Sequence, residues 1–243
     1  MTNTFKYFVT PQDVDFSWHI TISALGNYIL NTAGLAATLN NFGMERLQEE
    51  NLAWVVSRFA VEMQQLPTQH EEFTVETWVE DYNRLFTTRN FKIFDKNHNP
   101  IGNATSIWAI IDTNTRRTYS LDNKIEWKRF ATGVPSEMEK PVRVAEIAAD
   151  KPATTYHSVV YSDIDFNEHV NTMKYFQWSL DTFDLEQFKN QQFKRFDANF
   201  MHEARFGENV AVFREDFPQK NIFEVRNSEN KPLAKIQLTW EKK

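Results

Sequence analysis

DIDFNEHVNTMKY, residues 163–175, is the stretch whose reading decides the fold. Within seven residues it sets out Asp163, Asp165, Asn167 and His169, and then its character changes. From Val170 onward Met173, Tyr175, Phe176, Trp178, Leu180 and Phe183 follow with steps of three and four among them. That spacing predicts a helix over about 170–188, apolar on most of its circumference and therefore buried. Upstream, TTYHSVVYS is rich in β-branched and aromatic residues and reads as a strand. A strand thus ends, a polar loop delivers carboxylate, amide and imidazole groups, and a buried helix begins. Asp165, Asn167 and His169 alternate, so an extended loop would point them to a common side. Backbone amides at the helix start, near Val170, would face the same loop and suit an oxygen that gains negative charge.

Working outward, the same unit occurs earlier. In DVDFSWHITISALGNYI, residues 13–29, Asp13, Asp15, Phe16 and His19 precede Asp163, Asp165, Phe166 and His169 by a constant 150 residues. Phe91, Pro100 and Trp108 precede Phe223, Pro232 and Trp240 by a constant 132. Arg58-Phe59 resembles Arg195-Phe196, and Glu80-Asp81-Tyr82 resembles Glu215-Asp216-Phe217, in the same order. The chain is a duplication whose second copy has shorter connections.

Each copy reads as one strand, one long helix and then four strands. In the first, TFKYFVT (4–10) is a strand and a helix runs from about Ser23 to Asn41, with Gly43 past its end. A short helical piece, MERLQEE, leads to the strands AWVVSRFAVEMQQL, FTVETWVEDY, FTTRNFKIFD and ATSIWAIIDT. In the second copy strands are expected near 154–162, 193–203, 209–217, 221–227 and 233–241. Residues 131–153 carry Pro135, Pro141 and Pro152 with little periodicity and read as a linker. The predicted class is α+β, a double (tandem) hotdog of two long helices, each wrapped by a curved antiparallel sheet. The domains are 1–130, the linker 131–153, and 154–243.

Composition narrows the function classes. Hydrophobic residues make up 41% of 243, with 21 Phe, enough for a sizeable core. A net charge of −6 argues against general affinity for nucleic acid or anionic membranes. The absence of cysteine removes disulfides, thiolate metal sites and cysteine nucleophiles. His157, His169 and His202 lack a ligand spacing, so no metal site is expected. No run of about 18 apolar residues could span a bilayer, and MTNTFKYFV lacks the shape of a signal peptide. A cytoplasmic protein is the expectation.

DxDxNxHVNxxKY, together with LAWVVSRFAVEM and the whole of Phe86 to Arg117, resembles the acyl-ACP thioesterase family from about Tyr7 to Trp240. Plant members carry a plastid-targeting extension; this chain starts at its first strand and so resembles the bacterial members. The resemblance implies hydrolysis of acyl-[acyl-carrier-protein] to free fatty acid and holo-carrier. It implies no cofactor of the protein's own, since phosphopantetheine arrives on the substrate. Asp165, Asn167 and His169 match the family's catalytic trio unchanged. A further acidic position, in the strand after the helix, falls on Glu203. The cysteine that commonly follows it in the family is Ala204 here, which removes a Cys-His-Asn mechanism and leaves a carboxylate-driven attack. In the first copy Ser17 replaces the Asn and Leu66 stands at the acid's place, so that copy reads as structural, with Asp15 and His19 kept for loop and helix-cap bonding. Its helix, LGNYILNTAGLAATL, carries small residues that would leave room for an acyl chain.

Two rivals remain. A single-hotdog acyl-CoA thioesterase would build its site across identical subunits, and the fused, unequal halves argue against it. A non-catalytic acyl-binding hotdog protein would show damaged polar groups, yet Asp165, Asn167 and His169 are intact. The expected partner is the acidic acyl carrier protein, which needs a local basic patch on a chain of net charge −6. Arg116, Arg117, Lys124, Lys128 and Arg129, with Lys140 and Arg143 beyond, form the densest basic region and read as a surface loop. The sequence leaves a homodimer open.

Overall fold

The computed structural model describes all residues, 1–243, and the chain divides into two compact units, Met1–Pro141 and Val142–Lys243. The first runs β1 (Thr2–Phe8), α1 (Ile22–Leu39), α2 (Met44–Gln48), β2 (Leu52–Met63), β3 (Glu72–Tyr82), β4 (Thr87–Asp95), β5 (Pro100–Asp112) and a short β6 (Thr118–Tyr119). A 3-10 helical stretch, Leu121–Phe130, follows. Its strands pair antiparallel in the order β1-β3-β4-β5-β2, with β6 on β5. Thr21 starts α1 by accepting the Ala24 amide at 3.1 Å on its hydroxyl. Leu25, Ile29, Ala33 and Ala36 then recur at helical spacing and are buried. Gly43 has φ −72° and opens α2, so it is not the left-handed residue past α1; Asn41, at φ 59°, takes that role. Glycine is needed at 43 for close approach, because a Cβ there would meet the Thr38 Cα at 2.8 Å.

The second unit repeats the plan with β7 (Thr155–Ser158), α3 (Thr172–Leu180), α4 (Leu185–Asn190), β8 (Gln191–Phe200), β9 (Asn209–Phe217), β10 (Lys220–Asn227) and β11 (Pro232–Lys242). Its antiparallel order is β7-β9-β10-β11-β8, the order of the first unit's five long strands. Both are hotdog units. Phe59 and Phe91 and their repeat partners Phe196 and Phe223 are all fully buried. The duplicated positions are therefore core positions, where truncation of each Phe costs about 3–5 kcal/mol.

The second helix is shorter than its apolar run suggests. α3 stops at Leu180, and Asp181-Thr182-Phe183-Asp184 breaks the expected helix over 170–188 into two. Short polar side chains there compete for backbone groups. The Thr182 hydroxyl donates to the Ser179 carbonyl at 2.7 Å, and Asp184 caps α4 through the Gln187 amide at 3.2 Å. Arg214 fixes the break, donating to the Thr182 carbonyl at 2.8 Å with its guanidinium 4.0 Å above the Phe183 ring.

The Pro-rich stretch 131–153 has little regular structure, but it is not a free linker. In the first unit Ala131 bridges Val79, and the Val134 carbonyl accepts Trp78 Nε1 at 2.8 Å. In the second, the Val142 and Val144 amides donate to Asp197 (3.0 Å) and Asn199 (2.8 Å). The Ile147 amide donates to Glu224 at 3.0 Å, and Arg226 donates to the Ile147 carbonyl at 2.6 Å. Asp197, Asn199, Glu224 and Arg226 are buried, and the extended segment satisfies them.

Candidate active site

The loop between β7 and α3 is a tight turn, not the extended strip expected from its alternation. The Asp165 amide donates to the His169 carbonyl at 2.8 Å, and the Glu168 amide to the Asp165 carbonyl at 3.0 Å. Glu168 takes the left-handed conformation, φ 62°, that closes such a turn. Asp165 Oδ1 accepts the Asn167 amide at 2.8 Å and the His169 amide at 3.4 Å. Asp165 is therefore the internal anchor of the turn. Folding the loop on itself leaves Asn167 exposed and turns the His169 imidazole, 15% exposed, inward.

His169 meets Glu203 there, with Nε2 3.2 Å from Glu203 Oε2. Glu203 lies beyond the end of β8 at Phe200, on an irregular loop, and not in the strand expected to reach 203. That loop is tied to the turn through Ala204, whose carbonyl accepts the Val170 amide at 2.9 Å. The tie overturns one expectation, because the Val170 amide is already spent and is not a donor for substrate. The Asn171 amide is likewise given to the Asp163 carbonyl (2.8 Å), and the Asn171 side chain caps α3 through the Met173 amide (2.8 Å).

Asp163 has a role that composition and spacing did not reveal. It is 3% exposed, and its carboxylate takes up His157 Nε2 at 2.8 Å, the Val160 amide at 3.0 Å and Lys174 Nζ at 3.5 Å. Burial by itself would raise this carboxyl, but the Val160 amide, His157 and Lys174 outweigh it and hold it below the ordinary Asp range. Its repeat match to Asp13 was the available signal. Asp13 accepts the Thr10 amide (2.8 Å), the Thr10 hydroxyl (2.6 Å) and the Tyr28 hydroxyl (3.0 Å).

The first unit builds the same turn without the same site. The Asp15 amide donates to the His19 carbonyl (3.0 Å), Asp15 Oδ1 accepts the Ser17 amide (2.8 Å), and Trp18 is left-handed at φ 65°. The Ile20 amide donates to the Pro67 carbonyl at 2.9 Å, as Val170 does to Ala204, so Leu66 stands where Glu203 does. The Ser17 hydroxyl is consumed by Asp15 at 2.6 Å, and His19 Nδ1 sits 2.9 Å from the Ser17 carbonyl. Helix capping falls to Thr21 here, and not to Asp15 or His19.

Known sequences place both halves of the chain in one family. Residues 2–126 match the acyl-ACP thioesterase N-terminal domain, and residues 147–242 match the acyl-ACP thioesterase C-terminal domain. The chain belongs to the acyl-ACP thioesterase family. A crystal structure of an acyl-ACP thioesterase from Bacteroides thetaiotaomicron is 33% identical, with a TM-score of 0.90 over 99% of this chain and 98% of that one. The 12:0-ACP thioesterase of Umbellularia californica shares the fold at 18% identity, with a TM-score of 0.85 over 100% of this chain and 98% of that one. The chloroplastic palmitoyl-acyl carrier protein thioesterase of Arabidopsis thaliana is 28% identical over 76% of this chain and 46% of its own length. The chain spans about half the length of the curated plant relatives it matches.

In this thioesterase-family chain the basic region is not one surface. Lys124 is buried, with Nζ 2.7 Å from both carboxylate oxygens of Glu50, and it belongs to the first unit's framework. Lys140 pairs with Glu80 at 2.8 Å. Arg116, Arg117, Lys128 and Arg129 are exposed in the first unit, as is Arg143 in the second.

Proposed function

We propose that the protein hydrolyses the thioester of acyl-[acyl-carrier-protein], releasing free fatty acid and the carrier with its thiol restored. The observation that carries this reading is the 3.2 Å contact between His169 Nε2 and Glu203 Oε2 in a chain of this family. Hydrolysis needs a base for water and donors for the oxygen that becomes anionic. Glu203, the more exposed of the pair, takes a proton from water while His169 holds its carboxylate. The hydroxide equivalent attacks the thioester carbon, and the exposed Asn167 carboxamide donates to the resulting oxyanion. When the tetrahedral intermediate collapses the C–S bond breaks, and the departing thiolate recovers the proton. Asp165 acts by shaping the turn that presents Asn167 and His169. Ala204 supplies no nucleophile, so a cysteine-free route is required. The chemistry calls for no metal or cofactor of the protein's own.

The first unit, with Ser17 and Leu66 in place of Asn and acid, holds the acyl chain beside α1. The carrier docks on the exposed arginines and lysines near Arg116 and Lys128, and the reaction takes place in the cytoplasm as a step of fatty acid biosynthesis. No helix of the molecule is long and apolar enough to cross a membrane. The deciding experiment is hydrolysis of an acyl-ACP series of varied length and unsaturation, run beside the matching acyl-CoA series. Release from acyl-ACP at higher kcat/KM supports the reading. A preference for acyl-CoA would replace the carrier protein with coenzyme A as the substrate carrier. Tight acyl binding with no turnover on either would make the protein an acyl-binding module.

A further inference from the structure

The carboxylate of Glu203 needs a fixed position, yet it stands on a loop that no helix or strand holds in register. Its neighbour Ala204 is tied at both backbone groups. The carbonyl accepts the Val170 amide at 2.9 Å, and the amide donates to the Tyr175 hydroxyl at 3.1 Å. Tyr175 is 3% exposed on α3, with its ring set against Trp178 (centroids 5.4 Å apart, edge-on) and Phe200 (6.4 Å). A buried hydroxyl costs free energy unless it is hydrogen-bonded, so its retention there calls for a reason.

The first unit shows the alternative. Pro67 holds the place of Ala204, accepting the Ile20 amide, but proline has no N–H to satisfy and its φ is locked. The residue 150 positions before Tyr175 is Leu25, which has no hydroxyl. Amide and hydroxyl are both present in the unit with an acid at 203. Both are absent in the unit with Leu66. A chain that needed only to close the loop has a cheaper solution in its own other half.

We propose that Tyr175 is a positioning residue, its hydroxyl clamping the Ala204 amide and thereby setting Glu203 against His169. Burial, with Glu203, Glu208 and Asp165 adding to it against the opposing Ala204 amide, raises this phenol above its ordinary range. The kinetic part of the proposal rests on the thioesterase reading; the structural part does not.

The test uses the full chain and Tyr175→Phe, which keeps the ring and removes one oxygen. Amide hydrogen exchange across residues 201–205 should quicken while α3 and β11 keep their protection. On acyl-ACP, kcat should fall by about 10- to 100-fold with KM little changed, as expected for a misplaced catalytic group. In a Glu203→Gln background the same substitution should cost nothing further. Unchanged exchange at 201–205, wild-type kcat in Tyr175→Phe, or an equal added loss in the Glu203→Gln background would each overturn the clamp. Should Tyr175→Phe fail to fold, exchange of the wild-type Ala204 amide decides: strong protection supports the bond and free exchange overturns it. If the wild-type chain hydrolyses no acyl thioester, the functional reading falls, and the exchange measurements alone decide whether the hydroxyl holds the loop.

Discussion

His169 and His19 occupy equivalent turns and face different partners, Glu203 in one and the Ser17 carbonyl in the other. That difference sets what single substitutions should do. On the proposed mechanism Glu203→Gln removes the base and Asn167→Ala removes an oxyanion donor, so each should lower kcat on acyl-ACP by about 10²–10³-fold with an unchanged thermal midpoint. Ser17→Ala and His19→Ala should leave kcat nearly intact, and full activity in Glu203→Gln would remove that residue from the mechanism. Asp163 gives a pH signature of a different kind. Its folded-state pKa is depressed, so its stabilisation is present above the unfolded value near 4 and is lost as pH falls through the folded value. Asp163→Asn should therefore cost about 3–5 kcal/mol at pH 7, as for a broken buried ion pair. The gap to wild type should narrow progressively in thermal melts as pH falls below about 4.

Among the elements, the junction between turn and helix carries most of the local order. Asn171 in the second unit and Thr21 in the first both lie outside their helices and cap them, each accepting a first-turn amide. Asn171→Ala should cost about 1 kcal/mol, which for a chain of this size is a drop of roughly 2–4 °C in the thermal midpoint. Asn171→Asp, which retains the acceptor, should lie close to wild type in the same melt. Because the Asn171 amide also ties back to the Asp163 carbonyl, the alanine variant keeps the turn and loses only the cap. A loss of activity far exceeding the loss of stability would place Asn171 in the site itself.

At the scale of the molecule, two expectations concern substrate. Acyl carrier protein is acidic and the chain is itself at −6, so docking requires local positive charge. Reversing Arg116, Arg117 and Lys128 to Glu should raise KM for acyl-ACP and flatten its dependence on salt. Turnover of a small acyl thioester should barely change. Lys124→Glu should instead unfold the first unit, because it buries a charge against Glu50. Equal losses on both substrates for the triple variant would point away from docking. Ala33 and Ala36 are buried on α1, so Ala33→Phe or Ala36→Phe should shorten the preferred acyl chain. Overpacking costs about 1–3 kcal/mol there, and a thermal melt separates the two effects. An unchanged length profile in folded protein would put the chain elsewhere.

The number of long strands, their succession along the chain and the duplication were legible in the sequence, because period-two and helical spacings are local and the repeat preserves them in order. The buried aromatics could be paired from the sequence, Phe91 with Phe223 by constant offset and Phe59 with Phe196 by the preceding Arg. Where the second helix breaks, and which residues cap the helices, was decided by side chains that compete for backbone groups, as at Asp181 to Asp184. Asp165, Asn167 and His169 could be singled out from their motif, but their geometry could not. Alternation along a strip gave way to a closed turn in which Asp165 is the anchor, since a carboxylate next to free amides folds the chain onto itself. What tertiary structure alone decided are contacts across long sequence separations. Lys124 on Glu50, the segment 142–147 on buried strand polar groups, and the Ala204 amide on the Tyr175 hydroxyl are of this kind. Buried polar groups must find partners wherever the fold brings them, and no local pattern in the sequence records which partner that will be.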